Sequence, residues 1–395
     1  MLQGKTVLLG VTGGIAAYKM PNVARMLKKM HCNVHVLMTQ NATNFITATT
    51  FETLTGNKCL IDTFDRNFEF SVEHVALAKQ ADLVLLAPAT ANVIGKIANG
   101  IADDMLTTTV MACTCKVLVA PAMNHNMYHN SIVQENLEKL KRHGYEMIDP
   151  VCGMLANGDT GDGKLPSEET LVEYVLRELA FEKNMQGLKV LVTAGPTQEA
   201  IDPVRFISNH STGKMGYAIA KNAMLRGAEV TLVTGRTALE PPMFVKTVPV
   251  TSAKDMYQAV MECAKEQDII VKAAAVADYT PAHTADEKIK KSEGELSLTL
   301  EKTTDILAEL GKNKGNTVLC GFSMETEHML ENSRAKRKKK NLDMIAANNL
   351  KQQGAGFAGD TNVLTLITED WEKELALMSK DEAAKCVLDD CLLYT

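Results

Sequence analysis

The residues most suited to chemistry in this sequence lie in loops that follow short apolar runs. The loop GVTGGIAAYK, residues 10–19, follows such a run and opens a helical pattern. Glycines let backbone N–H groups approach a phosphate at the positive end of a helix. The candidate binding residues there are Gly13, Gly14, Ile15 and Ala16. A tight turn also uses glycine without any ligand, so this loop alone leaves both interpretations open.

Residues after the next two predicted strands are small or carry hydroxyl groups. A dinucleotide-binding fold places an acidic residue near the end of its second strand to hold the adenine ribose, but this chain has Thr39 there. The replacement disfavours NAD and a dehydrogenase with tandem Rossmann domains. Thr39 and Asn44 suit a phosphate or a ribityl chain, as do Ala87, Thr90 and Asn92 in the segment APATAN.

Three further segments of the first half carry polar or mobile residues. PAMNHNMYHN, residues 121–130, directly follows a strand and makes a plausible substrate clamp, because Asn124 offers both a donor and an acceptor. His74 stands near the start of a helix, where a lone histidine is usually a surface or capping residue. CGMLANGDTGDGKL, residues 152–165, contains four glycines and one cysteine, which predicts a loose loop.

In the second half, ISNHSTGKMG, residues 207–216, contains a Gly-Lys pair but is not a Walker A loop. Ser208 replaces the first glycine, and Lys214 is followed by Met215 rather than Ser or Thr. The small, hydroxyl-bearing residues still suit phosphate oxygens at a helix N-terminus, or else they form an elaborate helix cap. Upstream, Arg205 supplies a planar fork suited to a carboxylate or phosphate.

Cationic segments follow. Asp278, in KAAAVADYTP, has a carboxylate that could hold Mg²⁺, and Lys288 lies among lysines placed where a triphosphate would need them. Such lysines are otherwise solvated surface residues. RAKRKKKNLD, residues 334–343, places six cations within seven residues. A nucleic-acid patch is the alternative for this cluster, but it lies on one helix between two strands of an acidic protein.

The elements that position these loops alternate between apolar strands and amphipathic helices. Residues 6–12, 33–38, 83–89 and 116–122 indicate buried parallel strands, and the same βα pattern restarts at residue 189. The pattern predicts an α/β protein with two doubly wound domains. A polar segment near residues 181–188 separates them, so we place one domain at 1–186 and the other at 187–395. NVLTLITED and KELALM predict a closing hairpin.

Composition limits the function classes. The chain has 395 residues, nine scattered cysteines without a CxxC pair, and a formal net charge of −6. Such cysteines are typical of reduced thiols rather than a disulfide framework or a cysteine zinc site. The negative charge argues against a nucleic-acid partner, and no apolar run approaches the roughly 20 residues that a membrane span requires. A signal peptide is not evident, so we expect a cytoplasmic protein without a membrane partner.

The first half resembles the flavin-dependent cysteine decarboxylases, specifically phosphopantothenoylcysteine decarboxylase, through GGIAAYK, the His74 segment, APATAN and PAMNHNMY. The resemblance implies a flavodoxin-like domain that binds FMN between subunits of a trimer. It also implies thiol oxidation by the flavin, loss of carbon dioxide and re-reduction of the product. By this resemblance His74 is the catalytic base, and Asn124 grips the substrate carboxylate.

The glycine-rich loop departs from that family. Its flap has an A-C-G-D core whose cysteine delivers the last proton, whereas Asn157 occupies this position here. An amide cannot act as a general acid near neutral pH. Either Cys152 replaces the missing thiol or Cys152 is an ordinary loop residue and the final reduction is impaired. In both cases the loop is expected to close over flavin and substrate.

The second half resembles phosphopantothenate-cysteine ligase of the bacterial, CTP-dependent kind. DPVRFISNHSTGKMG, AAVADY, EKIKK, GFSMET and KRKKKNLD match that family in order. The resemblance implies that Asn209 handles an acyl-cytidylate with help from Arg205. The residues implied to contact CTP are Ala273, Ala274, Ala275, Asp278, Lys288, Thr304, Asp305, Ile306, Leu307, Phe322, Lys336 and Lys340.

The order of decarboxylase and ligase is that of bifunctional bacterial coenzyme A biosynthesis proteins. The resemblance implies 4'-phosphopantothenate, L-cysteine and CTP as substrates, and a homo-oligomer, a dodecamer built from trimers and dimers. Two alternatives stay open. In one, only the ligase functions, because Asn157 impairs the flavin domain. In the other, the chain is a nucleotide-sensing regulator.

Overall fold

The computed structural model describes residues 1–64, 73–154, 158, 160–291, 296–325, 327–349 and 359–395. The chain divides into two compact units, Met1–Glu182 and Lys183–Thr395. Each unit has its own sheet, and no named strand of one sheet belongs to the other in the described residues. The second unit begins at Lys183, whereas the sequence led us to expect the second domain to begin at residue 187.

The sheet of the first unit has five parallel strands in the order β2-β1-β3-β4-β5. A separate antiparallel hairpin, β6–β7, follows the sheet. The strands are β1 (Thr6–Val11), β2 (Asn33–Met38), β3 (Leu83–Ala89), β4 (Lys116–Pro121), β5 (Glu146–Met147), β6 (Val151–Met154) and β7 (Thr160–Lys164).

Among the described residues of this unit there are eight α-helices, and short 3₁₀ segments cover Ile15–Lys19 and Gln40–Asn44. The helices are α1 (Met20–Lys29), α2 (Ala48–Thr55), α3 (Glu73–Gln80), α4 (Ala91–Ala98), α5 (Met105–Ala112), α6 (His125–Tyr128), α7 (Ser131–Arg142) and α8 (Glu168–Leu179).

The second unit contains an eight-stranded sheet in the order β12-β11-β8-β13-β16-β17-β19-β20, whose last two strands run antiparallel. Its strands are β8 (Lys189–Ala194), β11 (Glu229–Thr234), β12 (Lys246–Pro249), β13 (Ile269–Lys272), β16 (Val318–Glu325), β17 (Met344–Asn349), β19 (Leu364–Ile367) and β20 (Glu372–Glu374). The antiparallel pair β19–β20 confirms the predicted closing hairpin.

Shorter strands and five α-helices make up the rest of the part of this unit that the structure describes. The small pairs are formed by β9 (Gln198–Ala200) with β10 (Phe206–Ser208), β14 (Tyr279–Pro281) with β15 (Leu300–Lys302), and β18 (Thr361–Asn362) with β21 (Met378–Ser379). The helices are α9 (Lys214–Leu225), α10 (Ala253–Cys263), α11 (Ile306–Lys312), α12 (Met329–Lys339) and α13 (Lys380–Cys391), with 3₁₀ turns at Ala264–Glu266 and Leu392–Tyr394.

The central strands form because they are apolar on both faces. Every residue of β1 and of β3 is buried, as expected for parallel strands covered by helices on both sides. Several helices begin at side-chain caps where the loops are polar. Asp104 and Ser252, for example, form complete capping boxes at the starts of α5 and α10. Local signals and tertiary packing therefore agree on the same α/β architecture.

Both sheets reverse their strand order at one point, and each reversal creates a crevice at the carboxyl ends of the strands. In the first unit the reversal lies between β1 and β3, and in the second between β8 and β13. Ligands of doubly wound folds bind at such points. The predicted fold class, two doubly wound α/β domains with a flavodoxin-like strand order in the first, is confirmed. Within the described residues, no helix has both the length and the apolar character needed to cross a bilayer.

Candidate active sites

A cavity of ≈ 530 Å³ opens at the reversal point of the second unit, beyond the end of β13. Most of its lining comes from loops that the sequence analysis had singled out. The lining residues are 209–216, 272–278, 303–307 and 322–324, together with Lys336, Lys340, Asn348, Asn362 and Lys380.

Glycines allow the loop before α9 to enter this crevice. Gly213 has a φ of +77°, and a Cβ there would lie 2.8 Å from Cγ2 of Thr237. A Cβ on Gly216 would lie 2.5 Å from that of Ala194, so α9 packs against β8 at a distance that only glycine permits. The start of α9 is thereby fixed beside the end of β8, where its first N–H groups face the cavity region.

Asn209 is held against the small-residue segment that follows β13. Its Nδ2 donates hydrogen bonds to the carbonyl oxygens of Val276 (3.1 Å) and Ala275 (3.4 Å). The segment is fixed in turn by Thr197, whose Oγ1 accepts from the N–H of Ala277 at 3.0 Å. With the amide nitrogen engaged, Oδ1 of Asn209 is the group left to act on a ligand.

Five lysines line the cavity, and three of them, Lys272, Lys336 and Lys340, lie on or next to β13, β16 and α12. Lys340 pairs with Asp305 at 2.7 Å, and Lys336 donates to the carbonyl oxygen of Phe322 at 3.4 Å. Lys272, the last residue of β13, has no ion-pair partner in the described part of the chain. Burial, reinforced by the positive charge of Lys340, lowers the pKa of Lys272 to about 8. Burial also lowers the pKa of Lys336, so nearby carboxylates compensate the two ammonium groups only in part.

Two carboxylates accompany these lysines. Asp278 is exposed and lines the cavity. Asp305 caps α11 by accepting from the N–H of Ala308 at 3.1 Å. Burial would raise the pKa of Asp305, but its ion pair with Lys340 and the Ala308 hydrogen bond together hold it below its ordinary value. Of the two, Asp278 is the carboxylate available to a cation bridging phosphate oxygens.

Arg205 lies outside the lining of this cavity and is committed to another contact. Its Nε donates to Oδ2 of buried Asp202 at 2.9 Å, and one terminal nitrogen donates to the carbonyl oxygen of Ile289 at 2.8 Å. The N–H of Ile289 also donates to Asp202 at 3.1 Å. The hydrogen bond from Arg205, together with backbone N–H groups, holds the pKa of Asp202 well below its usual range. Arg205 therefore fixes the segment that carries Lys288.

Most of the predicted nucleotide site is brought together. The predicted residues that line the cavity are Asn209, Ala273, Ala274, Ala275, Asp278, Thr304, Asp305, Ile306, Leu307, Phe322, Lys336 and Lys340. Arg205 and Lys288 are not among the lining residues. Sequence reasoning missed Lys272, although a charged residue that ends the apolar run of β13 was a readable signal.

A second cavity, also of ≈ 530 Å³, lies at the reversal point of the first unit. Its lining combines neutral hydroxyl and amide side chains with a few apolar ones. The lining residues are Gly13, Gly14, Thr39, Gln40, Asn41, Thr90, Ala91, Asn92, Val93, Lys96, Asp104, Ala122, Met123 and Met127.

Hydrogen bonds through Thr12 join the ends of β1 and β3 below this cavity. Thr12 Oγ1 donates to the carbonyl oxygen of Pro88 at 2.6 Å and accepts from the N–H of Thr90 at 3.0 Å. A Cβ on Gly13 would lie 2.5 Å from that of Asn41, so glycine is needed for this close approach. The 3₁₀ segment after Gly14 starts without a side-chain cap, which leaves its first N–H groups to a ligand.

The polar groups of this first cavity are mostly uncharged. Thr39 Oγ1 is buried and has no hydrogen-bond partner among the described residues. Lys96, the one cation in the lining, pairs with Asp103 at 2.7 Å and Asp104 at 3.2 Å. Those carboxylates, Asp103 foremost, raise the pKa of Lys96 by hydrogen bonding. A ligand here would meet hydroxyl, amide and N–H groups rather than an unpaired ammonium.

Five of the nine cofactor residues predicted for the first half line this cavity: Gly13, Gly14, Thr39, Thr90 and Asn92. Ile15, Ala16, Asn44 and Ala87 are not among its lining residues. Ile15 points to the surface with 54% of its area exposed, and Ala87 is fully buried within β3. Asn44 donates to the carbonyl oxygen of Asn41 at 3.3 Å. Sequence reasoning missed Asn41, and it assigned the segment of Met123 and Met127, PAMNHNMYHN, to the substrate rather than to the cofactor cavity that both methionines line.

The three residues predicted to act on the substrate of this domain have different placements. Asn124 caps α6 next to Met123, and its Oδ1 accepts from the N–H of Asn126 at 2.9 Å. His74 lies half-buried in the first turn of α3 and is not part of the cavity lining. Asn157 lies outside the residues that the structure describes. Cys152 is exposed within β6.

Comparisons with known proteins agree with the two-unit organisation. Residues 1–180 match the flavoprotein family, and residues 185–393 match the DNA/pantothenate metabolism flavoprotein C-terminal domain. The coenzyme A biosynthesis bifunctional protein CoaBC of Bacillus subtilis (strain 168) is 45% identical over 394 residues, covering 99% of this chain and 97% of its own. The CoaBC of Vibrio vulnificus (strain CMCP6) is 45% identical over 385 residues, covering 96% of this chain and 95% of its own.

Among solved structures, the C-terminal domain of a CoaBC protein is 43% identical, with a TM-score of 0.46, and covers 52% of this chain and 94% of its own. The relatives match this chain over nearly its whole length and not only in isolated motifs. The resemblance inferred from the sequence is therefore confirmed, and the chain is an enzyme with a decarboxylase-type flavoprotein unit and a ligase-type unit. It belongs to the family of the bifunctional coenzyme A biosynthesis protein CoaBC.

Proposed function

We propose that this chain converts 4'-phosphopantothenate and L-cysteine into 4'-phosphopantetheine in two steps. The second unit joins the two substrates at the expense of CTP through an acyl-cytidylate. The first unit then decarboxylates the product, 4'-phosphopantothenoylcysteine, with the help of FMN. The observation that carries this proposal is the contrast between the lysine-rich cavity of the second unit and the neutral cavity of the first.

The lysine-rich cavity supports the binding of a triphosphate. Lys272, Lys336 and Lys340 line it, and only Lys340 has a carboxylate partner among the described residues. A half-buried ammonium whose charge is compensated only in part is costly, and an anionic ligand removes that cost. The small residues Ala273, Ala274 and Ala275 leave room for a base to pack on the backbone. A pyrimidine nucleoside triphosphate meets both requirements.

In the ligation we propose that a carboxylate oxygen of 4'-phosphopantothenate attacks the α-phosphorus of CTP, and the bond to the β-phosphate oxygen breaks to release pyrophosphate. The lysines neutralise charge that grows on this leaving group. The amine of cysteine then attacks the acyl carbon and CMP leaves. Asn209, held by the carbonyls of Ala275 and Val276, presents Oδ1 to accept a hydrogen bond from the attacking amine.

Arg205 and Asp278 have supporting roles in this proposal. Arg205 positions the Lys288 segment through Asp202 and Ile289, so that Lys288 can approach the nucleotide without Arg205 contacting it. Asp278 would hold Mg²⁺, because it is an exposed carboxylate beside the phosphate-binding lysines. Magnesium usually takes one or two protein carboxylates and completes its shell with phosphate oxygens and water.

The residues of the first cavity fit FMN. The orphaned Thr39 hydroxyl needs a partner, and Gln40, Asn41, Thr90 and Asn92 offer the neutral hydrogen-bonding groups that a ribityl phosphate uses. The uncapped start of the 3₁₀ segment after Gly14 offers N–H groups to the phosphate. When bound, the flavin supplies reversible hydride acceptance, which oxidation of a thiol requires.

The protein's own groups would orient the substrate beside that cavity. Because Oδ1 of Asn124 is occupied by the N–H of Asn126, Nδ2 is left to donate to the substrate carboxylate and hold it until carbon dioxide leaves. His74 would take the thiol proton. Since His74 does not line the cavity described above, we propose that it acts in a site completed by a second subunit.

Exposed apolar residues support such an assembly. Ile15, Tyr18, Phe45 and Met127 are each more than two-fifths exposed, and they lie on or next to the segments that line the first cavity. Burying them against another copy is favourable. We propose trimers of the first unit, joined by dimers of the second into a dodecamer, and sedimentation velocity would test this arrangement.

Anaerobic mixing of the flavin-loaded protein with 4'-phosphopantothenoylcysteine tests the decarboxylase. We expect transient bleaching of the flavin, release of carbon dioxide and formation of 4'-phosphopantetheine. Bleaching and carbon dioxide without that product would show that the last protonation fails, as expected if Asn157 leaves only the ligase complete. The absence of bleaching would contradict the proposed decarboxylation. Pyrophosphate release on addition of CTP and 4'-phosphopantothenate tests the ligase, and nucleotide binding without it would favour a sensor.

A further inference from the structure

Two histidines and an aspartate form a cluster on the first unit, outside the lining of its cavity. His125 begins α6 and His129 directly follows its last residue as the C-cap, while Asp162 belongs to β7 of the hairpin β6–β7. The three residues can each offer one ligand atom such that all three atoms lie within 4.8 Å of one another. None of the roles proposed above involves this cluster, which we name the His–His–Asp cluster.

The cluster lies where the hairpin contacts α6. His129 Nε2 lies 3.1 Å from Oδ2 of Asp162, and the N–H of Asp162 donates to Nδ1 of His125 at 3.2 Å. The two imidazole rings lie edge to face with centroids 4.4 Å apart. A hairpin strand from one segment and a helical turn from another thus bring their polar groups to a single point.

Glycines on either side of Asp162 make this approach possible. A Cβ on Gly161 would lie 2.8 Å from Nδ1 of His125, and one on Gly163 would lie 2.3 Å from the carbonyl oxygen of Met123. Gly163 also accepts a hydrogen bond from the N–H of Met123 at 3.0 Å. The backbone is therefore shaped to seat the hairpin on α6 with the three side chains converging.

The donor set and spacing match a transition-metal site. Histidines four residues apart share one face of a helical turn, and two imidazoles with one carboxylate suit Zn²⁺ rather than Mg²⁺. In a tetrahedral zinc site, ligand atoms are separated by about 3.3 Å, because each bond is about 2.0 Å long. His129 and Asp162 already meet that separation at 3.1 Å. The widest separation would have to close by at most about 1.5 Å, which half-exposed side chains reach by rotation.

We propose that His125, His129 and Asp162 bind one Zn²⁺ per chain, with water in the fourth position, and that the metal fixes the hairpin β6–β7 to α6. Met127, on the same helical turn, lines the first cavity, so the bound metal would fix the hairpin to an element of the cavity wall. Without metal, hydrogen bonds and the edge-to-face contact of the rings join the cluster, and each hydrogen bond contributes only about 1 kcal/mol.

The test is a titration of tag-free, full-length, flavin-loaded protein with Zn²⁺ in competition with a chromophoric chelator. We expect one site per chain in the unmodified protein. His129→Ala and His125→Ala should each weaken it by more than about 100-fold, the upper end of what the outer partners of metal ligands cost. Flavin content serves as the check that each variant is folded.

Two variants serve as matched controls. His143→Ala removes an exposed histidine that ends α7, and Cys152→Ser removes the exposed thiol of the same hairpin. Both should keep the zinc affinity of the unmodified protein. Zinc affinity that survives both histidine substitutions, or that disappears with Cys152→Ser, would overturn the proposal.

A second readout tests the mechanical consequence. Zn²⁺ should slow hydrogen exchange of the backbone amides of residues 160–164 in the unmodified protein and in His143→Ala, but not in His129→Ala. Tight zinc binding with no change in the exchange of this strand would overturn the role in fixing the hairpin. Neither measurement requires turnover, so failure of the zinc site and failure of the proposed enzymatic function are distinguishable.

Discussion

The two cavities have the same volume, ≈ 530 Å³, and lie at equivalent points of their sheets, but they differ in charge. Lys272, Lys336 and Lys340 line the second, and burial lowers the pKa of the first two. The one lysine that lines the first is neutralised by two aspartates. The two cavities therefore share topology and size, but one is positively charged and the other is close to neutral.

The difference in charge fits the different phosphate groups proposed for the two cavities. N–H and hydroxyl groups can hold a retained cofactor that has a single phosphate. Because these groups are uncharged, the apoprotein does not have to bury a charge at the site. A triphosphate that is cleaved needs cations where the leaving pyrophosphate forms. Fold alone does not assign these roles, since doubly wound sheets host many functions. The assignment comes from the side chains that each sheet places at its reversal point.

The largest expected effect comes from mutations that stop one of the two reactions and leave the other unchanged. Asn209→Ala should slow ligation by about 100- to 1,000-fold, as does loss of a polar group that acts at the reacting centre. Flavin content and decarboxylation of added 4'-phosphopantothenoylcysteine should not change. His74→Asn should have the reciprocal effect, stopping flavin reduction while pyrophosphate release continues. Loss of both reactions in either variant would break the comparison between two separate sites.

A smaller effect is expected from replacing Lys272, because Lys336 and Lys340 also supply positive charge to the cavity. Lys272→Met should raise the KM for CTP by about 10- to 100-fold, as expected when one hydrogen bond to a charged group is lost. Lys339→Met, on α12 and outside the cavity lining, is the matched control and should have the KM of the unmodified protein. Equal KM values for the two variants would contradict the role of Lys272.

The pH dependence of CTP binding sharpens this point. In the folded protein without ligand, the pKa of Lys272 is about 8, whereas an ordinary lysine has a pKa of 10.5. The Lys272 side chain is therefore largely neutral between these two pH values. A bound triphosphate favours the ammonium form, so binding near pH 9 should take up about one proton, and uptake should fade toward pH 7. Calorimetry in buffers of different ionisation enthalpy measures it. Proton uptake that persists in Lys272→Met would assign it to another group.

The same shift has a consequence for stability. Lys272 is protonated in the unfolded chain up to pH 10.5 but loses its proton at about pH 8 in the folded chain. The unfolded state therefore binds more protons between these values, and the contribution of Lys272 to the free energy of unfolding rises with pH there. Below pH 8 the full cost of the buried charge remains. Urea unfolding of Lys272→Met should lack this rise.

The smallest effect concerns the neutral cavity. Thr39→Val removes a buried hydroxyl without a protein partner while keeping the side-chain shape. If that hydroxyl bonds the cofactor, the Kd for FMN should rise by about 3- to 10-fold, the value of one neutral hydrogen bond. The matched control is Thr53→Val, which replaces an exposed threonine of α2. Unchanged FMN affinity with a more stable apoprotein would show that the hydroxyl is merely unsatisfied.

Comparison with the sequence shows which features local patterns determine. Strands buried on both faces, such as β1 and β3, were predictable because continuous apolar runs between glycine-rich loops have few other interpretations. The edge strands β5 and β12 were missed, because Glu146–Met147 is only two residues long and Lys246–Pro249 is partly exposed. Such strands depend on pairing with a neighbour rather than on their own sequence.

The candidate sites show the same division. Segments with unusual composition, such as 209–216 and 273–275, were predictable as binding loops and do line a cavity. The position of Arg205 was not predictable, since its pairing with Asp202 and Ile289 depends on contacts up to 84 residues apart in sequence. Burial of Lys272 likewise depends on the surrounding strands and helices. A sequence shows which side chains carry charge or can form hydrogen bonds. Which group each side chain pairs with depends on the tertiary structure.

The most direct test of the central claim follows carbon dioxide from carboxyl-labelled cysteine. Purified, flavin-loaded protein is supplied with 4'-phosphopantothenate and labelled cysteine, with or without CTP. We predict that labelled carbon dioxide and pyrophosphate form in equal amounts, only when CTP is present. We also predict that 4'-phosphopantothenoylcysteine labelled in its cysteine carboxyl releases labelled carbon dioxide without CTP. Carbon dioxide released at the same rate without CTP, or CTP consumed with no carbon dioxide, would contradict the assignment of the two cavities.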